Sequence, residues 1–162
     1  MNNKNYWIAS ERLSELNDHD YQIIDESIGS DLIGGEYIPA YDEFENEYLN
    51  GAFRIIHSDD TNTDSGSGLV SQAPAYGESD FYALKNAGIN AIIDPVTLSG
   101  KFDSSVKGLE NKYVKDADAI IIKQLDERKL LFSQTTEMHS YPFCWRTGEP
   151  LIYKAIPTWF VR

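Results

Sequence analysis

Apolar positions along the chain fall into short runs separated by turn residues. Runs at 21–24, 36–38, 52–57, 68–71, 91–94, 130–135 and 151–156 are rich in β-branched and aromatic side chains, the composition of strands. Helical spacing is rarer. Positions 10–16 suit a short amphipathic helix, and 79–87 follows a Gly77-Glu78 start and stops at Gly88. Positions 116–129 put Ala117, Ile120, Ile121 and Leu125 on one face, open with an acid and close with Arg128 and Lys129. Many strand-like runs with a few helices predict an α+β fold, mostly β: a curled sheet or barrel with peripheral helices. The strict βαβ alternation of a Rossmann fold is absent. With no internal repeat and no Pro- or Gly-rich linker, residues 1–162 read as a single domain.

Composition narrows the function classes. A chain of this length can bury roughly 68–70% of its unfolded surface, so a sizeable core is expected. The net charge is −12, from 26 acidic and 14 basic residues, which argues against an autonomous nucleic-acid-binding module. Residues 1–80 hold 17 acids and 3 bases; residues 81–162 hold 9 acids and 11 bases, so a polyanion would approach the second half, where Lys101, Lys107, Lys112 and Lys115 cluster. A solvated acidic face accounts for the first half equally well. The single cysteine, Cys144, excludes an internal disulfide and reads as buried and structural, since Thr147 stands where a C-x-x-C pair would need its second thiol. No run approaches the ~18 apolar residues of a membrane span, and the first residues lack the apolar core of a signal peptide, so a cytoplasmic location is expected.

His19, His57 and His139 are scattered, so a Ser/His/Asp set or a His-based metal site would need tertiary coincidence, and no metal is expected. Trp145, Trp159 and Phe160 read as core or interdomain packing rather than a base-stacking platform. The stretch with most chemical promise is 64–80. Gly66 and Gly68 let the backbone come close to a ligand, Pro74 ends a ladder, and Gly77 leads into a helix whose first turn holds Asp80. A carboxylate there suits the ammonium group of a small substrate. It equally suits a plain cap on the helix. Neither a Walker A loop nor a dinucleotide fingerprint is present.

The same stretch, Gly66-Ser67-Gly68-Leu69-Val70-Ser71-Gln72-Ala73-Pro74-Ala75-Tyr76-Gly77-Glu78-Ser79-Asp80, resembles the editing motif of isoleucyl-tRNA synthetases, Gly-Thr-Gly-Val-Val-His-x-Ala-Pro-x-x-Gly-x-x-Asp. Three more segments follow that family's order. Gly35-Glu36-Tyr37-Ile38-Pro39-Ala40-Tyr41-Asp42 looks like its G-x-x-Y-x-P-L-F-D, and Tyr113-Val114-Lys115-Asp116-Ala117-Asp118 is similar to its Y-V-x-x-A-D. His139-Ser140-Tyr141-Pro142-Phe143-Cys144-Trp145-Arg146, with the run from Pro150 to Arg162, resembles the part that returns to the catalytic domain, so 139–162 is expected to lead back toward it. Where valyl and leucyl relatives have Pro-Ala-His-Asp, this chain has Pro74-Ala75-Tyr76-Gly77, which favours the isoleucyl branch of eukaryotic-cytosolic type.

The resemblance implies an inserted editing (CP1) domain, largely β-barrel, of a class I synthetase, that hydrolyses valine wrongly esterified to isoleucine tRNA. In this second sieve a hydrolytic site removes what the synthetic pocket cannot reject, and the enzyme is the standard example of it. It further implies that Asp80 grips the aminoacyl ammonium, with Thr63, Gly66, Gly68, Ser71 and Tyr76 around the aminoacyl group and the tRNA 3′ end as partner. No cofactor is expected in this piece; ATP and magnesium would serve the parent enzyme, since the H-I-G-H and K-M-S-K-S signatures are absent here. A monomer is expected. Two departures stand out. Ser71 occupies the place of the motif's His, whose volume and titrating nitrogen a hydroxyl lacks, and the threonine-rich segment that normally precedes Tyr6-Trp7-Ile8-Ala9 is missing, which suggests a truncated piece. A degenerate insertion that only positions the tRNA end therefore stays open beside active editing, and a free-standing deacylase is a weaker third reading.

Overall fold

A computed structural model describes residues 4–16, 20–64, 66–136, 138–159 and 161. Its regular elements are helical. Short 3-10 helices span Ser10–Leu16, Gly29–Leu32 and Glu45–Asn50, and two α-helices follow, α1 at Glu78–Asn86 and α2 at Val114–Glu127. The expected barrel is not there. Among the described residues the β-type contacts are four isolated antiparallel bridges, Glu36 with Arg54, Val96 with Phe102, Lys101 with Tyr113 and Phe143 with Pro150. The mostly-β, barrel-like expectation is therefore corrected: each strand-like run pairs over one bridge or none, and two of them are interrupted by a left-handed residue, Phe53 at φ 59° in 52–57 and Gly68 at φ 81° in 68–71. A strand becomes a sheet only by closing a ladder with a distant segment, and residue composition does not supply that partner.

Both α-helices form where local signals place them. Extended Gly77 precedes α1, with Glu78 and Asp80 in the first turn and Lys85 in the last, each sign matched to the helix dipole. The helix stops in a Schellman arrangement: Ile89 N–H reaches Leu84 O at 3.0 Å and Gly88 N–H reaches Lys85 O at 3.1 Å, with Gly88 left-handed at φ 71°. α2 ends in the same way, Leu130 N–H to Leu125 O at 2.8 Å and Lys129 N–H to Asp126 O at 2.8 Å. There the left-handed position, φ 57°, is held by Lys129 rather than by glycine. On the inner face of α2 Ala117 is fully buried, while Ile120, Ile121 and Leu125 are half-buried. Gln124 accepts the Tyr41 hydroxyl at 3.1 Å.

The expected large core is also corrected. Among the described residues the buried hydrophobic ones are Ala52, Ala75, Ala91, Val96, Leu109 and Ala117, and no large side chain is fully enclosed. The accessible surface is 13252 Å², against about 8,100 Å² for a compact monomer of this mass and about 26,500 Å² for the extended chain. Roughly half of the unfolded surface is removed from water, well short of the 68–70% of a compact domain. Trp145 and Trp159, expected as packing residues, are 85% and 97% exposed; Phe160 and His19 lie outside the described residues. No helix among the described residues is long and apolar enough to cross a membrane.

With so little core, polar ties between distant segments matter, and one of them joins three parts of the chain. Lys154 lies in the apolar run 151–156, and its ammonium reaches the Asp94 carboxylate and, at 2.5 Å, the Val96 carbonyl. The Tyr76 hydroxyl donates to Asp94 Oδ1 at 2.8 Å and accepts the Val96 N–H at 3.2 Å, while Lys154 lies 5.6 Å from the centre of the Tyr76 ring. Next to it, Ala155 N–H bonds to Ala75 O at 2.7 Å. Burial works against the Asp94 charge, but hydrogen bonds from Lys154 and Tyr76 and the Lys154 charge outweigh it and hold the carboxyl below its ordinary 3.8. Burial, the hydrogen bond to Asp94 and the Asp94 charge push the Tyr76 phenol above its ordinary 10.0.

Two predictions follow from these elements. Gly88 has open space where a Cβ would be, so Gly88→Ala lowers stability by conformational strain alone, by about 1 kcal/mol, and Lys129→Gly raises it by a similar amount; urea midpoints at constant slope check both. Asp94→Asn destabilises by about 1 kcal/mol at pH 7, a figure reduced for screening because 32% of the Asp94 side chain is in solvent. Because the folded-state pKa is depressed, that deficit is complete above pH 3.8 and closes as pH falls below it. For Tyr76→Phe the sign reverses: the raised phenol pKa makes the deficit complete below pH 10.0 and closes it above. Deficits independent of pH refute the tie.

Candidate functional site

The glycine stretch is held from the N-terminal side. Arg12, in the first 3-10 helix, donates from Nε to Gly66 O at 3.2 Å and from Nη1 to Asp64 O at 3.1 Å. Ala9 N–H bonds to Ser67 O at 2.8 Å. Gly68 is left-handed, φ 81°, and a Cβ there would lie 2.6 Å from the Ala9 Cβ, so its missing side chain accommodates Ala9. Gly66, also left-handed at φ 64°, faces open space. Thr63 and Ser71 are exposed.

Downstream, Pro74 opens a tight turn in which Tyr76 N–H (2.8 Å) and Gly77 N–H (3.0 Å) both bond to Ala73 O. α1 then carries Asp80 back over this turn, and its Oδ2 accepts the Ala73 N–H at 2.8 Å. Among the described residues the Asp80 carboxylate makes no other hydrogen bond or ion pair, and none joins it to Thr63, Gly66, Gly68 or Ser71. Asp80 is half-buried, as is Tyr76, whose hydroxyl is committed to Asp94 and Val96. Beside the turn opens a cleft of about 580 Å³ lined by Tyr76, Gly77, Glu78, Ser79, Tyr82 and Tyr153. Ala75, at the back of the turn, is 1% exposed and is pinned by Ala155.

This arrangement can present a carboxylate with one oxygen fixed by a backbone amide; Asp80 itself is not among the residues that line the cleft. Among the described residues the arrangement offers no general-base histidine. His57 Nε2 lies 2.9 Å from Asp59 Oδ1 and His139 Nδ1 lies 3.2 Å from Ser140 O, both exposed. Cys144 is half-buried rather than enclosed. Hydrogen bonds from the Thr147 side chain and from the Thr147 and Arg146 backbone lower its thiol pKa. Among the described residues no cluster of three or more His, Cys, Asp or Glu could hold a metal ion. Of the lysines expected to meet a polyanion, Lys101, Lys107, Lys112 and Lys115 are all exposed, with Lys115 4.9 Å from the centre of the Tyr141 ring.

Sequence reasoning alone misses Arg12, Asp94 and Lys154. Lys154 gave a usable signal: a lone charge in an apolar run must find a counter-charge or leave the run exposed. Arg12 is one of three bases among 17 acids in the first half, but its acceptors are backbone carbonyls, which no charge pattern reveals.

No family model matches the chain. Individual relatives do. An isoleucine–tRNA ligase of Protochlamydia amoebophila is 41% identical over 163 residues, which cover 99% of this chain and 16% of the relative. The cytoplasmic isoleucine–tRNA ligase of Caenorhabditis elegans is 43% identical over 163 residues, 97% of this chain and 14% of the relative. That of Saccharomyces cerevisiae is 44% identical over 150 residues, 88% of this chain and 14% of the relative. The chain thus spans about one-seventh of the length of the curated relatives it matches. At such identity across nearly all of its residues, the chain belongs by sequence to the isoleucine–tRNA ligase family, as a homologue of one stretch of those enzymes.

Proposed function

We propose that this stretch is the editing part of an isoleucine–tRNA ligase, hydrolysing valine wrongly esterified to isoleucine tRNA. The observation that carries the reading is the placement of Asp80: a half-buried carboxylate turned back over the 73–77 turn, with Oδ2 on the Ala73 amide and no described partner on its other oxygen. That free acceptor suits the ammonium of an aminoacyl group. Water attacks the ester carbonyl, the bond to the ribose oxygen breaks, and that oxygen takes a proton as valine leaves. No protein nucleophile is required. The tRNA 3′ end is the partner in this reading, and the cytoplasm, named for two of the relatives, is the location. ATP and magnesium belong to the activation step of the parent enzyme rather than to this stretch.

A second reading is favoured by Ser71, Gly68 and Tyr76. Ser71 is exposed and without a described hydrogen bond, Gly68 is filled against Ala9, and the Tyr76 hydroxyl is fully engaged. In that reading the segment positions the tRNA end and catalyses nothing. Deacylation of Val-tRNA(Ile) by the ligase that carries this sequence separates the two. Under the editing reading Asp80→Asn lowers kcat/KM about ten- to a hundredfold, the scale of a hydrogen bond to a charged group. Ser71→His raises the rate or its preference for Val-tRNA over Ile-tRNA. An Asp80→Asn enzyme as fast as the parent supports the spacer reading, and an unchanged Ser71→His enzyme removes position 71 from the pocket.

A further inference from the structure

Gly77 has extended backbone, φ −133° and ψ 130°, which any residue adopts without strain. Chain conformation therefore does not require glycine here; space does. A Cβ at position 77 would lie 2.8 Å from Asp80 Oδ2 and 2.9 Å from Asp80 Cγ. The carboxylate fills the volume that a side chain at 77 would take, and from that place Oδ2 accepts the Ala73 N–H.

We propose that Gly77 is a positioning residue for Asp80: its missing Cβ lets the carboxylate fold back across the first turn of α1 and latch onto Ala73, which fixes where the second oxygen can receive a cation. The backbone at 77 cannot readily yield to a side chain, because its N–H is bonded to Ala73 O at 3.0 Å and its carbonyl to Phe81 N–H at 3.0 Å. Asp80 can yield, by rotation about its own χ1. A methyl group at 77 therefore evicts the carboxylate and leaves turn and helix in place. The catalytic half of this inference rests on the reading in which Asp80 grips an ammonium; the geometric half does not.

The test has two arms. In hydrogen-exchange spectra of the chain, the Ala73 amide resonance is protected by its bond to the Asp80 carboxylate. Gly77→Ala removes that protection, and Asp80→Ala, which leaves residue 77 untouched, removes it as well. An Ala73 resonance that stays protected in either variant overturns the proposal. Where Gly77→Ala alone fails to fold, adding Asp80→Ala removes the clash and restores folding; a double variant that stays unfolded overturns the proposal too. In the ligase that carries this sequence, Gly77→Ala lowers Val-tRNA(Ile) deacylation about tenfold, the scale of one hydrogen bond to a charged group. Placed on Asp80→Asn, it lowers the rate no further, because the two act as one unit. A Gly77→Ala loss of equal size in both backgrounds marks a general structural role and overturns the positioning role. A normal rate in Asp80→Asn overturns the editing reading, and with it the use of Gly77 in catalysis, while the Ala73 resonance still decides the geometry.

Discussion

The turn that presents Asp80 depends on Lys154 for its long-range backing. The Lys154 side chain is 15% exposed and its ammonium meets both a carboxylate and a backbone carbonyl, so most of its lost hydration is replaced by charge-assisted hydrogen bonds. Through it the run 151–156 is drawn against 75–76 and 94–96, segments about 60 to 80 residues away in the chain. Ala75, almost wholly buried, is the apolar complement of this polar tie. The turn that presents Asp80 is thereby backed by a distant segment of chain and does not rest on local hydrogen bonds alone.

Legibility in the sequence follows the range of the interactions. The 10–16 segment and both α-helices could be placed to within two residues because their signals are local: acids in first turns, the Gly88 stop, the apolar face of α2. The strand-like runs carry the residue types of strands, yet a ladder needs a partner at long range, and here pairing stops after single bridges. Residues 34–37 and 53–55 show the difference. Gly34 N–H to Ile55 O, Ile55 N–H to Gly35 O and Tyr37 N–H to Phe53 O are strand-like bonds, each 2.8 to 2.9 Å, but among the described residues no third segment adds a bridge to them. Nothing in the alternation of side chains announces where such pairing ends.

The candidate site divides in the same way. Asp80 and its place in a first helical turn are visible in the sequence, and so is the glycine stretch. What the glycines admit is not. Gly68 was expected to bring backbone close to a ligand, and here it meets Ala9; Gly77 meets Asp80. A glycine signals that something approaches closely, and only coordinates name the visitor. Tyr76 shows the same limit, since its hydroxyl is held by Asp94, a residue 18 positions downstream that no motif includes.

The large uncovered apolar surface gives the acidic composition a second role. Exposed Trp145, Trp159, Leu49 and Met138 offer adhesive ground to other copies, and a net charge of −12 keeps those copies apart by mutual repulsion. That repulsion disappears near the isoelectric point of about 4.5. Acidification thus removes colloidal protection near that point, before it begins to neutralise Asp94, so that clumping precedes loosening.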